Sequence, residues 1–65
     1  MTEGTATENL ALSHPQLVSL YILLRARETE LDARQLEVYD AVTEKLFETM
    51  SLADMDGIDS YYKSL

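Results

Sequence analysis

The sequence predicts an all-α protein: an antiparallel helical hairpin with a short third helix or ordered tail, completed by dimerisation or by a partner. Three observations carry that reading. Apolar residues recur at helical spacing, twice, in two long segments. No Gly or Pro interrupts the chain between Pro15 and Gly57. Each segment opens on the signature of a helix N-cap, Ser13 with Gln16 and Asp32 with Gln35.

Residues 1–12 are rich in Thr, Glu, Gly and Ala and have no apolar period, so they read as a disordered N-terminal tail. Residues 13–65 read as one small helical domain. Helix 1 is predicted over residues 14–30. Pro15 falls in its first turn, where a missing N–H costs nothing. Leu17, Leu20, Tyr21 and Leu24 form its main stripe, Val18, Ile22 and Ala26 lie on a second face, and Leu23 on a third. A helix apolar almost all round is covered on most sides. Two helices of one short chain leave such a helix partly bare, so a second chain is its natural cover. Val18, Tyr21, Ile22 and Leu23, with Tyr61 and Tyr62, are therefore the candidate partner or dimer interface. Tyrosine suits that role because it buries area while keeping a polar tip wet.

A break near Leu31–Asp32 is favoured over one continuous rod. Leu17, Leu24, Leu31 and Val38 repeat every seven residues, but the companion positions read Leu20, Arg27, Arg34 and Ala41 and break the seam. Leu31 and Leu36 bracket the second cap as a hydrophobic staple, and Arg25 and Arg27 suit a helix C-terminus. Helix 2 is predicted over residues 33–50, with Leu36, Tyr39, Val42, Leu46, Phe47 and Met50 on its apolar side. Its other side carries an acidic ridge of Glu37, Asp40, Glu44 and Glu48. Asp40–Glu44 and Glu44–Glu48 are like-charge pairs four apart, each costing a helix roughly 0.2–0.5 kcal/mol. Residues 52–65 read as a short helical segment, with Ser51 and Asp54 as a cap and Gly57 as a stop, and with Leu52, Met55 and Ile58 folding back onto the helix pair.

Composition bounds the function. Sixty-five residues bury a marginal core, and small scaffolds lean on disulfides, a metal or a partner. The chain has no Cys and one His, so disulfides, thiolate zinc sites and histidine-rich metal sites are excluded. Twelve acids against 5 bases give a net charge of −7, which disfavours direct nucleic-acid binding and suits solubility or a basic protein partner. The first nine residues carry Glu3 and Glu8 and no basic stretch of a secretory leader. The longest apolar run, Leu20 to Leu24, is far short of a membrane span. The expectation is a cytoplasmic protein with no membrane contact.

Catalytic and metal readings fare poorly. The run Asp54-Met55-Asp56-Gly57-Ile58-Asp59 superficially resembles a calcium loop. Counted from Asp54, however, position 5 is Ile58, position 6 is Asp59 and position 12 is Leu65, so three ligand or turn requirements fail. His14 sits at a helix start with no orienting acid nearby in sequence. The ridge acids are expected to be exposed, without the apolar pocket that acid–base work needs. No catalytic residue, cofactor or metal site is assigned, and the chain is read as a non-enzyme. The reading is a small acidic interaction module, acting as regulator, adaptor or inhibitor through an apolar helix face. The alternative is an acidic nucleic-acid mimic that blocks a basic DNA- or RNA-binding surface.

One resemblance adds to this. Glu30-Leu31-Asp32 followed by Gln35-Leu36-Glu37-Val38-Tyr39, and then Thr49-Met50-Ser51, resembles the second half of the Hha/YmoA family of small bacterial nucleoid modulators. The likeness covers under half of the chain. That family's basic opening helix has no counterpart here, and this chain is much more acidic. The resemblance implies an all-helical fold that acts by binding a DNA-binding protein.

Overall fold

A computed structural model describes residues 10–65. They form four α-helices and one 3-10 turn, with no strand among the described residues. The helices are α1 (His14–Ala26), α2 (Ala33–Thr49), α3 (Leu52–Asp56) and α4 (Ile58–Lys63), and the 3-10 turn (Glu28–Glu30) joins α1 to α2. The chain is all-α. No described helix is long and apolar enough to cross a membrane. Of the tail expected over residues 1–12, residues 1–9 lie outside the described residues, and residues 10–12 adopt no regular structure.

Local chemistry sets the helix starts. The Gln16 N–H donates to Ser13 Oγ (3.2 Å), and the Ser13 N–H donates to Gln16 Oε1 (2.9 Å). Asp32 and Gln35 repeat this exchange at 2.8 Å in both directions. Each box satisfies two backbone donors, one of them among the four that a helix start leaves without partners. At α3 the Asp54 N–H donates to Ser51 Oγ (3.1 Å).

The ends depart from expectation. The first α-helix stops at Ala26, four residues short of Glu30. Beyond it the backbone tightens: the Arg27 N–H donates to the Leu24 carbonyl and the Glu30 N–H to the Arg27 carbonyl. Such i→i+3 bonds commonly close a helix C-terminus. Leu31, extended at φ −79° and ψ 139°, then redirects the chain into the second cap. Gly57 separates α3 from α4 at φ −107°, a conformation open to any residue.

The core comprises Val18 and Tyr21 of α1, Val42 and Leu46 of α2, Met50, Met55 of α3 and Ile58 of α4. Val18 and Leu46 have no exposed surface and Ile58 only 1%. Leu17, Leu20, Ile22, Tyr39 and Tyr61 pack around this cluster. Helix α1 is central, with α2 and α4 both packed on it, while α3 packs on α4. The Tyr21 and Tyr39 rings lie 5.8 Å apart across the α1–α2 contact.

Two expectations about packing are corrected. Leu52 does not fold back with Met55 and Ile58; at the first position of the five-residue α3 it is 72% exposed, a full turn short of the core that Met55 reaches. On α2, Leu36 and Phe47 are exposed although they belong to the apolar side. At 100° per residue they sit at the edge of a stripe centred on Val42 and Leu46, beyond the reach of α1.

Candidate interaction surface

The six residues singled out as an interface divide into three groups. Val18 and Tyr21 are buried by their own chain. Their assignment to a partner contact is corrected: α2 and α4 together cover the face of α1 that carries them, so no second molecule is needed there. Ile22 and Tyr61 are half-buried against the same core. Leu23 and Tyr62 remain exposed, Leu23 by 54%.

Leu23 and Tyr62 come together. With Pro15, Gln16, Ser19 and Leu20 they line an open groove of about 340 Å³ between α1 and α4. None of the six carries a charge. Gln16, Ser19, Leu20 and Leu23 follow a 3-1-3 spacing, which places them in one strip along α1. Tyr62 forms the opposite wall.

The position of α4, and therefore of Tyr62, is fixed from α1 at two heights. His14 Nε2 and Tyr61 Oη are hydrogen-bonded at 2.7 Å, with their rings edge-to-face and 88° apart. The tyrosine hydroxyl donates when Nε2 is unprotonated and accepts when Nε2 carries the proton. At the other end of α1, Arg25 reaches Asp59 at 3.3 Å. The same guanidinium lies 5.6 Å from the centre of the Tyr21 ring. Ile58, just before Asp59 and Tyr61, anchors the start of α4 in the core. The His14 contact spans 47 positions and carries no local pattern, so sequence spacing could not reveal it.

The acidic ridge is a separate surface. Glu37, Asp40, Glu44 and Glu48 are all exposed on α2. Lys45 approaches Glu48 at 3.8 Å, and Glu37, Asp40 and Glu44 have no ion-pair partner among the described residues. Exposed Phe47 adjoins the ridge.

Elsewhere, burial raises the pKa of Tyr39 above its ordinary value, with further contributions from Tyr21 and Glu28, while Arg25 opposes them. Asp54 and Asp56 lie within α3 and Asp59 is turned to Arg25, so the acids of that segment do not converge. No group of three or more potential metal ligands occurs among the described residues.

No protein-family model, curated protein or solved structure matches this chain.

Proposed function

We propose that the chain is a non-enzymatic protein–protein interaction module whose contact surface is the α1–α4 groove. One observation carries the reading. On a small molecule whose core is closed by its own helices, Leu20, Leu23, Pro15 and Tyr62 still form a continuous, uncharged, concave apolar surface. Scattered exposed apolar residues are ordinary, whereas here they converge on one concavity, the shape that binding sites prefer. Tyr62 adds a large ring at low conformational cost, with a hydroxyl that stays wet. In this reading the α1–α2 pair is a helical hairpin that serves as scaffold, and α4 supplies the second wall.

A photoreactive residue at position 23 tests the reading in cells that express the chain, with position 52 as the exposed control. The proposal requires a specific adduct from position 23 that position 52 does not give. Equal labelling from both positions, or none from either, counts against it.

A second reading is favoured by the ridge. Three of its four acids have no ion-pair partner among the described residues, and a helix rise of about 1.5 Å per residue spreads them along a line that suits a basic nucleic-acid-binding surface. Charge reversal of Glu44 and Glu48 then abolishes binding to such a surface together with its salt dependence; unchanged binding removes the idea. The Hha/YmoA-like pattern belongs with the interaction reading and makes the partner a DNA-binding protein. Two of its residues, Asp32 and Gln35, are engaged in capping α2.

A further inference from the structure

We infer that the outer edge of α2 docks a basic amphipathic helix of a protein partner, with Leu36 and Phe47 as apolar anchors and with Asp40 and Glu44 receiving Lys or Arg side chains between them. The inference rests on the acidic ridge being a contact surface, the second of the readings above. It adds the apolar residues beside the ridge and the class of segment that fits both.

The anchors are aligned. Leu36 and Phe47 are 11 residues apart in α2, close to three turns. At about 100° per residue they lie within about 20° of one line along the helix, roughly 16 Å from each other. Both are exposed, Phe47 by 52%. Asp40 lies close to the same line between them, and Glu44, three positions before Phe47, sits one step further round. A body that covers both anchors therefore covers these two carboxylates as well.

The carboxylates decide what that body is. Asp40 and Glu44 have no ion-pair partner among the described residues, and Lys45, on the far side of the ridge from Phe47, is turned to Glu48. An uncharged partner would strip water from two carboxylates and return no counter-charge, a cost that two half-exposed apolar side chains do not offset. A second copy of this chain, at −7, would add repulsion. A small polycation would neutralise the acids and leave the anchors bare. A basic amphipathic helix satisfies all four positions. Its apolar residues 11 apart return to one side, as Leu36 and Phe47 do, and bases in the turns between fall opposite Asp40 and Glu44. The like-charge repulsion within the Asp40–Glu44 pair is relieved in the same step.

The test titrates the isotope-labelled full chain with two synthetic peptides of about eighteen residues, roughly 27 Å of helix. One is an amphipathic helix of Leu and Lys; the other has the same length and charge, with every Leu replaced by Gln. The expected result is saturable binding of the Leu-bearing peptide, at least about tenfold tighter than its Gln counterpart. That binding weakens as salt rises from about 0.05 to about 0.5 M, and the amide shifts centre on residues 36–47. Phe47→Gln weakens it at least about fivefold. Val38→Gln leaves it unchanged, since Val38 is similarly exposed at 48% but lies on the opposite side of α2. The shifts of the unmodified chain keep the test decisive should Phe47→Gln fold poorly.

Equal binding of the two peptides overturns the inference and leaves the ridge as a purely electrostatic surface. Shifts centred on Leu23 and Tyr62 overturn it in favour of the groove. Absence of binding by either peptide removes the ridge reading together with the inference.

Discussion

Truncating Val18 and Leu23 one at a time separates the covered side of α1 from the bare one. The residues are five positions apart on one helix and similar in chemistry, yet Val18 has no exposed surface and Leu23 keeps 54%. Val18→Ala removes two methyl groups, a transfer loss of about 1.6 kcal/mol at roughly 0.8 per carbon. The unfilled volume beside Leu46 and Ile58 adds to it, for a total of about 2–3 kcal/mol. A domain of this size has only about 3–8 kcal/mol of stability, so the variant loses a large share of it. At about 4–8 °C per kcal/mol the melting temperature falls by roughly 8–24 °C. Leu23→Ala costs under about 1 kcal/mol, because its side chain is already half in water and Ala favours helix. Thermal melts followed by far-ultraviolet circular dichroism, at two well-separated dilute concentrations, check both values. The Val18→Ala shift must be the same at both concentrations. A Val18→Ala melt within about 2 °C of the parent, below the estimate from one buried methyl, refutes the assignment of Val18 to a closed core. A larger loss for Leu23→Ala does the same.

Further outcomes follow from individual contacts. Gly57→Ala should stabilise the fold by about 0.4–1 kcal/mol in denaturant melts, since φ is −107° and an added Cβ meets the Ala53 carbonyl at an ordinary 3.8 Å. Tyr61→Phe keeps the ring contact with His14 and loses the 2.7 Å hydrogen bond, a cost of about 0.5–1.5 kcal/mol that should vanish in a His14→Ala background. The raised pKa of Tyr39 makes a signed prediction: its contribution is fully present below the unfolded-tyrosine value of about 10 and is lost as pH rises through the higher folded value. Melts across that range should lose stability in the parent chain and lose less in Tyr39→Phe.

The helix starts were legible in the sequence because they are local. Ser13 with Gln16 and Asp32 with Gln35 act over three residues, and each pair makes the hydrogen bonds its spacing implies. The break between the long helices follows from the second of these caps. The inward side of α2 was legible too, since acids on one side leave Val42 and Leu46 only one way to turn. Helix α1 offered no such contrast. Apolar residues surround it, so periodicity could not decide that Val18 faces α2 and α4 while Leu23 faces out. That choice is made by α4, whose position depends on His14–Tyr61 and Arg25–Asp59, contacts 47 and 34 positions apart in the chain. The groove inherits the same non-locality, since Tyr62 completes it from the far end of the sequence.

The most direct measurement is amide hydrogen exchange on a sample dilute enough to be monomeric. Slowest exchange is predicted in α1 around Val18 and Tyr21 and in α2 around Val42 and Leu46, with protection that further dilution leaves unchanged. Protection that fades on dilution would show that these helices do not hold together within one chain.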